Sequence, residues 1–222
     1  MTMASSSPAT WLGRDGFRDP PDGSPQTYRA DLPLPATPDQ CDRFLDRAER
    51  RVRFADIRSD VACELARFLG VASALWTPDR RRRLRFLLVD AGEDAVEAIL
   101  AEVARSPRPE VSDDAEIALR AIQNRHPAAS EKLAARLTSD PHSAVRATLV
   151  HVLDEAPGRS AIDALVRALD DPDADVRDAA AQALSRHPGC EVETALKQRL
   201  RRERNAIVVD SIQSALEELA SA

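Results

Sequence analysis

Val176-Arg177-Asp178-Ala179-Ala180-Ala181-Gln182-Ala183-Leu184 is the stretch that decides the fold. Small or apolar residues fill its first, fifth, eighth and ninth positions, which is the spacing of one helical face. Alanine costs least in a helix and lets a neighbouring helix come close. The same nine-residue pattern recurs at Val145 to Leu153, Val111 to Leu119 and Val208 to Leu216. The four valines are 34, 31 and 32 residues apart, and a weaker copy, Arg80 to Leu88, lies 31 residues before Val111. That copy has Arg where the others have Val. A period of this length is the mark of stacked repeats.

Each unit is preceded by a shorter amphipathic segment, with i, i+4 pairs at Ile99/Val103, Leu133/Leu137, Leu165/Leu169 and Leu196/Leu200. Turn residues separate the two segments: Ser106-Pro107-Arg108-Pro109, Ser139-Asp140-Pro141 and Asp170-Asp171-Pro172-Asp173. Proline removes a donor and stops one helix, and Asp or Ser caps the next. His126-Pro127, Ala156-Pro157-Gly158 and His187-Pro188-Gly189 separate one repeat from the next. Each period therefore reads helix, tight turn, helix, break. One such pair cannot bury both its faces, so pairs must stack.

Working toward the N-terminus, Thr77-Pro78-Asp79 opens a helix that carries Leu84, Phe86, Leu87 and Leu88 and closes near Gly92. Thr37-Pro38-Asp39-Gln40 opens another, with Gln40 placed to complete a capping box. It should run to about Val52, and a further helix should run from Ser59 to Leu69. Residues 1–37 cluster Ser, Pro, Gly and Asp without helical period and read as a disordered leader, which also holds Trp11, Phe17 and Tyr28. The expected organisation is all-α: a leader over 1–37, a helical cap over 38–76, and over 77–222 a right-handed α-solenoid of four to five stacked helix pairs.

The segments Asp140-Pro141…Val145-Arg146 and Asp171-Pro172…Val176-Arg177 resemble HEAT-like repeats of the short variety also found in bilin lyase subunits. The resemblance spans about residues 79–220. It implies that Asp140, Arg146, Asp171 and Arg177 bridge neighbouring turns as a ladder along the stack. Ser112 and Val209 stand where the outer copies would need Arg, so two good rungs are expected. A non-catalytic scaffold or adaptor that holds a protein partner along the groove of the second helices fits this family best. A chromophore lyase-like or accessory subunit is the enzymatic alternative.

Composition narrows the chemistry. Of 222 residues, 43% are hydrophobic and 4% aromatic, and the net charge is −6. The charge is uneven, with 12 basic against 8 acidic residues over 41–90 and 16 against 24 over 91–222. Cys41, Cys63 and Cys190 are odd in number and have no zinc or disulfide spacing, which suits a reducing, cytoplasmic setting. No apolar run is long enough for a membrane span. No cofactor or metal is expected. Gly-rich phosphate loops and nucleophile elbows are absent. Iron-binding helical-repeat hydroxylases carry His-Glu dipeptides, and this chain has none. His126 and His187 sit at helix ends and read as caps, and His151 as a polar face residue. The acidic run 170–175 lacks the Gly and terminal Glu of a calcium loop.

The run Arg80-Arg81-Arg82-Arg83 is the candidate partner contact. Arginine at a helix N-terminus opposes the helix dipole, so local stability does not explain it. An acidic protein surface is one target and nucleic acid another, although the net acidity of the chain disfavours the latter. An internal ion-pair face would use the same residues. Pairing of two copies through an exposed end of the stack is also compatible with the sequence.

Overall fold

The computed structural model describes residues 35–53, 58–70, 75–156 and 158–221. Trp11, Phe17, Tyr28 and the rest of the leader up to residue 34 lie outside the described residues, as does Pro157. Eleven α-helices and no strand occur among the described residues. They are α1 (Pro38–Arg53), α2 (Arg58–Arg67), α3 (Pro78–Ala91), α4 (Asp94–Arg105), α5 (Pro109–Arg125) and α6 (Ala129–Ser139). Then follow α7 (Ser143–Leu153), α8 (Arg159–Ala168), α9 (Ala174–Leu184), α10 (Cys190–Leu200) and α11 (Ala206–Ser221).

The helices form two layers. In one, α1, α3, α5, α7, α9 and α11 each pack on the next in that series. These are the second helices of the repeats, plus α1. In the other layer α2 packs on α4 and α6 on α8, while α4 and α6, and likewise α8 and α10, make little or no contact. The second-helix layer is therefore continuous while the first-helix layer is interrupted after α4 and after α8, and the exposed side of the second helices is called the inner face below. The all-α solenoid read from the repeat spacing is the fold that forms.

Small residues explain the close approach. Val176, Ala180, Ala181, Ala183 and Leu184 of α9 are buried, as are Val145, Leu149, Val152 and Leu153 of α7. Each fully buried Leu contributes roughly 1.5–3 kcal/mol from apolar surface removed from water. At the N-terminal end aromatics do this work. Phe44 of α1 stacks on Phe68, with ring centroids 3.7 Å apart, and Trp76 meets Phe68 edge-on at 6.0 Å.

Local signals start and stop the helices. The Thr77 hydroxyl accepts from the Arg80 N–H at 3.3 Å and Asp173 accepts from the Asp175 N–H at 2.9 Å. Thr37 accepts from the Gln40 N–H at 3.3 Å, but Gln40 Oε1 takes the Ala36 N–H at 2.8 Å rather than that of Thr37. The reciprocal half of the box thus closes one residue earlier than the sequence pattern predicts. Gly92 ends α3 at φ 67°, where a side chain would be strained.

Candidate functional site

The turns inside successive repeats are wired together by arginine. Arg146 on α7 donates through Nε and Nη2 to the two carboxylate oxygens of Asp171, at 2.7 and 2.8 Å, and through Nη1 to the Asp140 carbonyl at 2.8 Å. Arg177 on α9 repeats the arrangement one step on. It donates to Glu203 at 2.9 and 3.1 Å, and to the Asp171 and Pro172 carbonyls at 2.9 and 3.1 Å. Each guanidinium thus holds its own turn by the backbone and the following turn by the carboxylate. The paired, fork-shaped contact is one that lysine cannot make.

Every carboxylate in this series also accepts a backbone N–H two residues on: Asp140 from His142, Asp171 from Asp173 and Glu203 from Asn205, each at 2.9 Å. Asp140 faces Arg136 at 2.8 Å rather than an arginine of α5. Glu203 is held well below the usual carboxylate range, first by Arg177, with the Asn205 N–H and Arg199 adding to it against the opposing effect of burial. Glu203 lacks the following proline that marks Asp140 and Asp171. Its signal was its place five residues before Val208, where Asp171 stands before Val176 and Asp140 before Val145.

The arginine run at the start of α3 is engaged inside the chain. Arg80 forks onto Asp42 of α1 at 2.8 and 2.6 Å and also donates to the Leu75 carbonyl. Arg83 pairs with Asp46 at 2.6 Å and reaches Glu49 at 3.4 Å. Arg81 turns the other way, to Asp114 of α5 at 2.9 Å. Burial pushes the Asp114 carboxyl up, and Arg81 and Arg85 oppose that shift. Among the described residues Arg82 pairs only with Asp79, one turn away, and is 78% exposed. Three of the four guanidinium groups therefore clamp α1, α3 and α5 together. The dipole penalty at the helix start is offset by carboxylates from neighbouring helices.

The inner face carries a different feature. The seventh position of the nine-residue unit points outward on every second helix, and it is filled in turn by Phe86, Ile117, His151, Gln182 and Ser214. Phe86 is 62% exposed and Ile117 47%, on helices packed side by side. Phe86 had been grouped with the apolar face of its helix, but Leu84, Leu87 and Leu88 take the core and leave it outside. At the other end of the row a shallow groove of about 490 Å³ runs between α9 and α11. Gln182, Ser185, Arg186, Asp210, Ser214 and Glu218 line it.

The histidines serve the helix ends. His187 Nε2 lies 2.8 Å from the Asp154 carbonyl at the end of α7, and the His126 ring lies over Gly92 at the end of α3. His151 is exposed, and the Asp154 carboxylate takes Arg186. No group of three or more His, Cys, Asp or Glu side chains that could hold a metal occurs among the described residues. No helix among them is long and apolar enough to cross a membrane. Cys41 is buried, and burial pushes its thiol up.

Residues 130–217, from α6 to α11, match the family model for HEAT repeats. No curated protein matches the chain.

Proposed function

We propose, from the match of residues 130–217 to HEAT repeats, a class that generally mediates contacts between proteins, that the chain is a non-catalytic scaffold or adaptor. It holds its partner along the inner face of the second helices. The observation that carries this reading is the side-by-side exposure of Phe86 and Ile117 on that face. Large apolar side chains scattered singly on a surface are ordinary, whereas two adjoining ones at one register form a patch that gains from being covered. The arginines at 80, 81 and 83, bound to their own carboxylates, contribute by fixing the helices that present the patch.

The test is site-specific photo-crosslinking in the source cell. A photoreactive residue at position 117, and separately at Glu131 on the exposed side of α6, is activated and the adducts are identified by mass spectrometry. A defined set of proteins attached from 117 and not from 131 is the expected result. Identical adducts from both positions would remove the inner face from consideration.

A further inference from the structure

The inner face carries a row of carboxylates without ion-pair partners among the described residues. In the first-helix layer five carboxylates have a basic partner, while Asp94 and Glu131 have none among the described residues. Glu93 has Lys132, Glu97 has Arg136, Asp163 and Glu191 share Arg159, and Glu193 has Lys197. On the second helices more are left without one. Glu110, Asp113, Asp175, Asp178, Asp210 and Glu218 occupy the positions three to four residues, or one full heptad, from the seventh-position row. Among the described residues none of these six has an ion-pair partner. Arg120, the basic residue nearest Ile117 on α5, is already shared by Glu116 and Glu155.

A chain of like charges left unpaired on one face costs self-repulsion, and a cationic ligand relieves it. The apolar step at Phe86 and Ile117 lies at one end of the row; at the other lie the groove between α9 and α11, where Arg186 stands beside Asp210 and Glu218 and is paired with Asp154, and Ile207, 67% exposed and one heptad before Ser214. With helices about 8–10 Å apart, the row from Phe86 to Ser214 crosses four spacings and extends roughly 35 Å. An extended peptide covers that in about 11 residues at its usual rise.

Resting on the proposed function, we propose that the partner segment is a basic peptide, with a bulky apolar residue seated on Phe86 and Ile117 and Lys or Arg side chains running over the carboxylates toward Asp210 and Glu218. The fit comes from opposite charge along the row and from apolar contact at one end. The charged part is solvent-exposed, so it sets encounter rate and selectivity, and salt weakens it.

A display library of random 14-residue peptides is selected on the immobilised full-length protein. Survivors are then measured against two variants, Asp175→Asn/Asp210→Asn/Glu218→Gln and Phe86→Ser/Ile117→Ser. All five side chains are exposed. The expected outcome is enrichment of peptides rich in Lys and Arg with an apolar residue near one end. Their affinity should fall at least tenfold in each variant, and tripling the salt should weaken wild-type binding more than binding to the neutralised variant. Peptides that lose affinity only in the Phe86/Ile117 variant and carry no basic excess would overturn this inference and leave the proposed function standing. No selected peptide sensitive to either variant would overturn both.

Discussion

Arg146 and Asp171 meet as a two-pronged pair, Nε and Nη2 at 2.7 and 2.8 Å from the two carboxylate oxygens, across the boundary between two repeats. Side-chain exposure is 10% and 7%, so both charges are largely withdrawn from water and depend on each other. Stacked repeats gain most of their stability at such boundaries.

Arg146→Met therefore leaves the Asp171 carboxylate buried beside an apolar chain and should cost about 3 kcal/mol. Arg146→Lys should recover only part of this, because an ammonium cannot form the fork. Arg146→Met with Asp171→Leu should be closer to the wild type than Arg146→Met alone, since no charge is then stranded. Urea unfolding of the four proteins measures all three differences.

Glu203 gives the stack a pH dependence of known sign. Its folded-state ionisation is depressed by Arg177 and the turn N–H groups. The stabilisation it supplies is complete above the unfolded carboxyl value, about 4.3, and is lost as pH falls from there through the depressed value. Glu203→Gln should thus be clearly less stable than wild type at pH 7, and the gap should narrow steadily below about pH 4. Denaturant midpoints at pH 7 and pH 3 decide it. A gap that stays constant between the two would show that the ionised carboxylate is not the source.

Gly92 and Gly189 form a matched contrast. Gly92 sits at φ 67° and ψ −139°, and a Cβ there would also lie 3.4 Å from His126 Nε2. Gly92→Ala should cost roughly 1–2 kcal/mol from backbone strain. Gly189 has extended backbone at φ 169° and open space around it, so Gly189→Ala should be neutral within about 0.5 kcal/mol. Thermal unfolding of the two variants tests the pair.

Arg80 and Arg83 tie α1 to α3 through Asp42, Asp46 and Glu49. Arg80→Gln with Arg83→Gln should loosen α1 before anything else, with amide exchange over 38–53 accelerating while α7 and α9 stay protected. Uniform acceleration along the whole chain would mean that α1 is held by its Phe44 contact rather than by charge.

Much of this arrangement was legible in four valines and the proline turns between them. Hydrophobic spacing dictates which face of a helix is buried, and a repeated spacing dictates that the faces stack. The arginines at 146 and 177 could be picked out because they share one position in consecutive units. The carboxylate that Arg177 holds was harder to see, since Glu203 breaks the Asp-Pro pattern while keeping the register. The run at 80–83 looked available to an outside partner because its acids are remote in sequence. Asp42 and Asp46 lie a helix pair earlier, and Asp114 lies 33 residues later. Exposure of Phe86 was equally hidden, because an aromatic beside three leucines gives no sign of which residues win the core.

One joint in the stack has neither kind of fastening. Between the α4–α5 and α6–α7 pairs, Ser112 stands where an arginine would grip Asp140, and α4 and α6 barely touch. The joint keeps the α5–α7 packing on the inner side and the long side chains of Lys132 and Arg136 reaching Glu93 and Glu97 on the outer. Mechanically, that is a leaf spring clamped along one edge. Force applied to the two ends is expected to be taken up there first, with bending about α5 and α7. The span between Phe86 and Glu218 would then act as a gauge length, set by how far that spring is bent.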